Sequence, residues 1–176
     1  MPDPITRTDN GSDILVNIRS PRFLIAQTVG QCWHCDAPTL LLALALPPGH
    51  ETLELDHDAQ DDERSQDTWS VAAHSALLFY IDYIPDNVQR RLNVFTQAFC
   101  IGHSKAAAGF YWANHCEQCG SLLDDHELFC EPDGAFLPTT AASAGIIRLV
   151  AVDEAIEAAA AGYAYEPAFF DAMGKG

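Results

Sequence analysis

Along the run "RFLIAQTVGQ", residues 22–31, Phe23, Ile25 and Val29 fall on alternate positions, interrupted by polar Gln27. A period of two predicts a strand running into Cys32. The next apolar run, in "DAPTLLLALALPP", is closed by Pro47 and Pro48 and fits either a returning buried strand or a helix of about three turns at most, with Asp36 as its cap. "TWSVAAHSALLFYIDYIP" is apolar throughout and predicts core, as helix then strand or as one helix, ended by Pro85. In "DNVQRRLNVFTQAF", Val88, Leu92, Phe95 and Phe99 recur at spacings of four, three and four, which predicts an amphipathic helix with Asp86 as N-cap.

Further on, "GFYWANHC" and "SLLDDHELF" read as strands on either side of a tight turn, and Asp133-Gly134 marks another turn. "GIIRLVAV" predicts a late strand, "DEAIEAAAA" a short helix and "EPAFFDAM" a further helical turn. Residues 1–20 are polar and read as a flexible lead-in with room for a short strand at "ILVNI". The expected fold is therefore α+β: a lead-in over 1–20, then one domain over 21–176, an antiparallel sheet covered by a few helices from the 68–99 region and the C-terminus.

Composition sharpens this picture through charge. The 176 residues are 48% hydrophobic and 19% charged, as in a folded globular chain, but 25 Asp and Glu face only nine Lys and Arg, for a formal charge of -16. Eight of the acids, against Arg64 alone, lie between Glu51 and Asp67, so the insertion near 49–67 reads as a solvated acidic loop. Direct nucleic-acid binding depends on neutralising phosphates and is disfavoured by this field, whereas encounter with a basic partner is accelerated. The first 20 residues lack the basic start and apolar core of a secretory signal, and no apolar run reaches the ~18–20 residues of a membrane span. A cytoplasmic chain is the expectation, and six cysteines there read as ligands, reactive thiols or buried hydrophobes rather than three disulfides.

Four of the six form two pairs, Cys32-Trp33-His34-Cys35 and Cys116-Glu117-Gln118-Cys119. "CWHC" alone resembles the active-site motif of disulfide isomerases, in which a thiolate attacks and a second thiol resolves. That reading gives "CEQC" no role and lacks the surrounding βαβ pattern. A metal site uses all four: Cys32, Cys35, Cys116 and Cys119 supply the soft tetrahedral set that Zn²⁺ takes, and Gly120 and Asp36 follow the pairs where a left-handed turn is needed. Metal-free core thiols are the third reading of the same pairs.

The two knuckles "CWHCD" and "CEQCG" with their flanking strands resemble the zinc ribbon, in which two Cys-x-x-Cys knuckles on adjacent hairpins share one zinc. The segment "YWANHCEQCGSLLDDHELF…EPDGAF" also looks like part of uncharacterised bacterial zinc-ribbon proteins. The resemblance implies one structural Zn²⁺ per chain and brings no activity with it. The chain departs from ribbons in spacing, since some 80 residues separate knuckles that ordinarily lie ~15–20 apart. Cys100 and Cys130 read as small buried hydrophobes, Cys130 with the option of replacing one ligand.

Four thiolates leave a zinc no open position for catalysis, and His115-x-Glu117 lacks the downstream Pro-Cys-x-x-Cys of zinc deaminases. Asp124, Asp125, Glu127, Glu131 and Asp133 read as an exposed acidic hairpin, and Trp33, Phe110, Tyr111 and Trp112 as packing around the knuckles. No catalytic residues are assigned. The expected function is that of a non-enzymatic, acidic, zinc-binding protein acting by protein–protein interaction on a basic partner, a description that a bacterial immunity or antitoxin protein fits. The alternatives are a thiol-disulfide oxidoreductase using Cys32 and Cys35, and a nucleic-acid-associated zinc ribbon.

Overall fold

In the computed structural model, which describes residues 5–7, 13–54 and 68–175, the chain is mostly sheet with a few short helices. Strands β1 (Ile5–Arg7) and β2 (Asp13–Leu15) pair with each other. There follow β3 (Ile18–Ser20), β4 (Phe23–Gln31), β5 (Pro38–Leu46), β6 (Glu51–Glu54), β7 (Thr68–Val71) and β8 (Ala76–Tyr83). After helix α1 (Asp86–Leu92) come β9 (Phe99–Ser104), β10 (Gly109–His115) and β11 (Leu122–Leu123). Helix α2 (Ala141–Ala144) leads to β12 (Arg148–Val152), β13 (Ile156–Tyr165) and β14 (Gly174–Lys175). One path of the main sheet runs β14-β12-β4-β5-β8-β13-β3-β6-β7, with β10 joining at β8 and carrying β9 and β11. All of its pairings are antiparallel except β12 with β14. Among the described residues no helix is long and apolar enough to cross a membrane.

The ambiguous run "TLLLALAL" is the central strand β5, and its lack of alternation has a direct cause: both faces are covered. Leu42, Leu44 and Leu46 enter one core with Phe23, Ile25, Leu78, Val88, Leu92 and Phe99. Leu41, Ala43 and Ala45 enter a second with Phe129, Phe136, Ile147 and Leu149. A strand buried on both faces reads as a continuous apolar run.

Several elements differ from the expectation. The apolar 68–84 stretch is two strands with no helix, and α1 ends at Leu92, so Phe95 lies in the following turn and Phe99 opens β9. Val88, Leu92 and Phe99 nevertheless share a core, with Phe95 packed against it, so the burial follows the spacing even where the helix has stopped. Pro85 occupies the N-cap position without a side-chain cap, and Asp86 sits inside the first turn, where a carboxylate still favours the helix dipole. The alanine-rich "DEAIEAAAA" is an extended segment, mostly β13, pinned between β3 and β8, with Ile156, Ala158 and Ala160 facing the first core. Two-sided sheet pairing outweighs the ~0.7 kcal/mol or less per residue by which Ala prefers helix over ordinary residues.

The opening segment contributes structure as well. Val16 and Ile18 are buried, β3 pairs with both β13 and β6, and the Asn17 carboxamide exchanges hydrogen bonds with the Ala160 backbone at 2.9 and 3.1 Å. Of the 49–67 insertion, Glu51–Glu54 is a strand whose Glu51 accepts a 2.6 Å bond from Arg19 Nε; residues 55–67 lie outside the described residues.

Strand β8 changes partner part-way. Its Ala76–Leu78 pair with β5, while Ile81 pairs with Trp112 of β10. Between them Tyr80 has φ 49°, and its N–H donates to Asp125 Oδ2 at 2.7 Å. That switch lets the β10 hairpin lie alongside β5.

Candidate metal centre

Each knuckle is the tip of a hairpin: β4 runs into Cys32 and β5 leaves after Cys35, while β10 runs into Cys116 and β11 leaves after Cys119. The two tips are built alike. Asp36 N–H donates to Cys32 O and Gly120 N–H to Cys116 O, both at 2.9 Å; Cys32 N–H donates to Ala37 O and Cys116 N–H to Ser121 O, at 2.9 and 2.8 Å. This closure requires a left-handed residue after the second cysteine. Asp36 (φ 56°) and Gly120 (φ 72°) supply it, as the sequence predicts.

Three links hold the hairpins side by side. Asn114, 1% exposed, accepts from Leu42 N–H at 2.8 Å and donates to Leu42 O at 2.9 Å, so its carboxamide stands in for a strand between β5 and β10. Glu117 N–H donates to buried Thr39 Oγ1 at 3.1 Å. Trp33 Nε1 donates to Leu122 O at 3.0 Å, so the tip aromatic is fastened to the opposite hairpin although it is 64% exposed.

The result brings Cys32, Cys35, Cys116 and Cys119 together with all four Sγ atoms within 4.8 Å of one another. Cys32–Cys119 and Cys35–Cys116 are each 3.7 Å apart. A tetrahedron with metal–sulfur bonds of ~2.3 Å has edges of ~3.8 Å, so these two distances match such an edge and the four sulfurs could hold a metal ion such as zinc. They are too far apart for the ~2.05 Å of a disulfide. Cys32 and Cys116 are buried and Cys35 and Cys119 exposed, so the site lies at the surface with its inner half sealed.

The thiols of the tetrad are electrostatically unequal. Hydrogen bonds from Ser121, by side chain and then backbone, followed by one from His34, push the Cys119 thiol down to about 5. At Cys35 a backbone bond from Ala37 favours the thiolate, but desolvation and the sulfurs of Cys119, Cys116 and Cys32 override it and push the thiol up to about 12. One thiolate in the tetrad opposes the next, and a divalent cation would be needed for all four to ionise together.

Comparison with family models, with curated proteins and with solved structures gives no match. The geometry is therefore what speaks for the site.

The remaining candidates fall elsewhere. Cys100 and Cys130 are exposed rather than buried, and neither belongs to the tetrad. Cys100 Sγ lies 3.5 Å from His115 Nδ1, which also meets Ala113 O at 3.1 Å and Ala98 O at 3.3 Å. His34 is exposed, and its backbone N–H approaches Cys32 Sγ at 3.4 Å. Of the aromatics expected around the knuckles only Trp33 is there. Tyr111 is buried edge-on to Tyr80, Trp112 stacks on Phe99, and Phe110 lies at the far end of β10 beside His103.

The supposed acidic hairpin is divided. Beyond Leu122–Leu123 the chain forms a π-helical turn over His126–Cys130, with Glu127, Glu131 and Asp133 exposed. Asp124 accepts from Ser104 Oγ at 2.6 Å, and Asp125, 2% exposed, turns inward to hold Tyr80. Asn114, Thr39 and Asp125 carry no motif. A polar residue on an apolar strand next to a knuckle, as in "YWANHC", is the one signal for Asn114 that the sequence offers.

Proposed function

We propose that the protein is a zinc-stabilised, non-catalytic interaction protein. One Zn²⁺ on Cys32, Cys35, Cys116 and Cys119 clasps the two hairpins in a zinc-ribbon-like arrangement, and the carboxylate-rich surface docks a basic protein. The observation that supports this reading is the approach of four cysteine sulfurs to within 4.8 Å of one another: four such ligands would fill the shell of a zinc and leave no position for water or substrate. The metal's task is then to fix the fold, and function passes to the surface. Loading four thiolates with one divalent ion takes the formal charge from -16 to -18, which favours a basic partner of the kind an immunity or antitoxin protein neutralises.

The experiment has two arms. Protein purified without added metal is expected to carry one zinc per chain by elemental analysis, with four thiols unreactive until a chelator is added. The metal-loaded chain is expected to capture a basic protein at low salt and to release it as salt rises, since screening weakens contacts between exposed charges beyond the ~8–10 Å Debye length. Turnover of a model disulfide that is lost in Cys32→Ser and survives chelation would assign the pair to thiol-disulfide exchange instead. A salt-sensitive shift of DNA or RNA would assign the ribbon to nucleic acid.

A further inference from the structure

Strands β8 and β10 pair with each other at one position, Ile81 with Trp112. Each is otherwise bonded elsewhere, β8 to β5 and β13, and β10 to β9 and β11. Beside that single pair opens a cavity of about 370 Å³, a volume within the range of small-ligand sites. We propose that this cavity binds an organic cation, an ammonium or guanidinium group carrying apolar surface, between its aromatic residues and the Asp82 carboxylate. The site owes nothing to the four-cysteine centre and stands or falls apart from it.

Tyr80, Phe110 and Tyr111 line the cavity, and Ala107, Gly109 and Ala161 keep its remaining wall low. Two of the aromatic residues are held in place before any ligand arrives. Tyr80, at φ 49°, is fixed by its N–H bond to Asp125 and meets Tyr111 edge-on with ring centres 5.2 Å apart. Phe110 is braced by His103, with ring centres 4.8 Å apart, and is still 68% exposed. Walls already ordered lower the entropy cost of binding.

Asp82 supplies the charge. Among the described residues it has no hydrogen-bond or ion-pair partner, and desolvation raises its carboxyl with no cation to offset the effect. No Lys or Arg lines the cavity, and exposed Lys105, in the turn between β9 and β10, is not part of its wall.

This combination selects the occupant. An aromatic face is the negative end of the ring quadrupole and attracts a cation. An anion meets the Asp82 carboxylate in a chain of charge -16 and is repelled. A neutral solute gains the apolar walls alone, and a hydrated inorganic cation gains the carboxylate alone. A substituted ammonium or a guanidinium gains both. Desolvation, and then the charge of Asp124, raises the Tyr80 hydroxyl, so this wall remains a neutral phenol in a negative field.

The test titrates the full chain with choline and with its uncharged isostere, in which a tert-butyl group replaces the trimethylammonium, at constant ionic strength and with amide chemical shifts as the readout. Choline is expected to saturate one site per chain in the range of ~1–10 mM, with shifts centred on residues 80–82 and 107–111, and the isostere to bind ~10-fold more weakly or less. Asp82→Asn and Phe110→Ala are each expected to weaken choline by ~10-fold or more while keeping the metal content and Tm of the parent. An octalysine peptide distinguishes the two sources of such a cation. If choline displaces it from residues 80–82, the cavity also takes a protein side chain; if the two bind without competition, it takes a free molecule, and the proposal holds in both cases. Absence of saturation up to ~50 mM choline, equal binding of the isostere, shifts spread over the acidic surface as for a general counter-ion, or choline binding unchanged in both variants would each overturn it.

Discussion

Asp125 shows how one buried side chain can set the path of a strand. Its carboxyl takes the N–H of Tyr80 at the point where β8 changes partner, and it receives a second anchor where its own N–H donates to the Tyr111 hydroxyl at 3.3 Å. Burial, opposed by the Tyr80 bond and aided by the Asp124 charge, raises it to about 7. An unfolded Asp ionises near ~3.9, so between about pH 4 and 7 the folded state holds a proton that the unfolded state has released. Stability is therefore expected to fall as pH rises through that window, by about 2–4 kcal/mol, and to level off above it. Asp125→Asn keeps an oxygen for Tyr80 and removes the ionisation, so urea denaturation of this variant across the window is expected to show a flatter pH dependence. A slope equal to that of the parent would locate the titration elsewhere.

At the level of elements, the knuckles were the most legible part of the chain because their chemistry demands particular residue types. Cysteine pairs at fixed spacing, each followed by a residue that accepts positive φ, leave a local mark that survives without knowledge of the fold. The prediction follows from that asymmetry. Gly120→Ala is expected to cost ~1 kcal/mol, because its left-handed φ strains any Cβ even though the space around it is open. Asp36→Gly relieves the same strain in the first knuckle but adds freedom to the unfolded chain, for a net change under ~0.5 kcal/mol. Guanidinium unfolding of the metal-loaded variants compares the two directly. Elements fixed by distant partners were not legible. Tyr80 takes a left-handed turn that nothing near it in sequence announces, since its acceptor is 45 residues away. β13 carries a helix-former's composition and is held extended by neighbours at positions 18–20 and 76–83. Asn114 looks like any polar strand residue until Leu42, 72 residues earlier, comes beside it.

For the molecule as a whole, the two large cores and the four-cysteine site are separate. Cys32 and Cys116 form their own small cluster with Ala37, apart from the cores on the two faces of β5. Chelation is expected to loosen the tips while the sheet persists: far-UV circular dichroism keeps its strand signal, and Tm falls by roughly 10 °C or more, as a loss of several kcal/mol would give in a chain of this length. Amide exchange is expected to accelerate first at residues 32–37 and 116–121, and complete unfolding on chelation would place the metal at the centre of the fold instead.

The 80 residues between Cys35 and Cys116 also impose an order in time. On a ribosome adding ~5–20 residues per second, the first pair of thiols emerges roughly 4–16 seconds before the second. During that interval "CWHC" is an unpaired pincer on a nascent hairpin, open to oxidants and to any metal that two thiolates can hold. The four-cysteine set is complete only after β10 has been made, so if it holds an ion as proposed, the ion completes its site late in the synthesis of the chain.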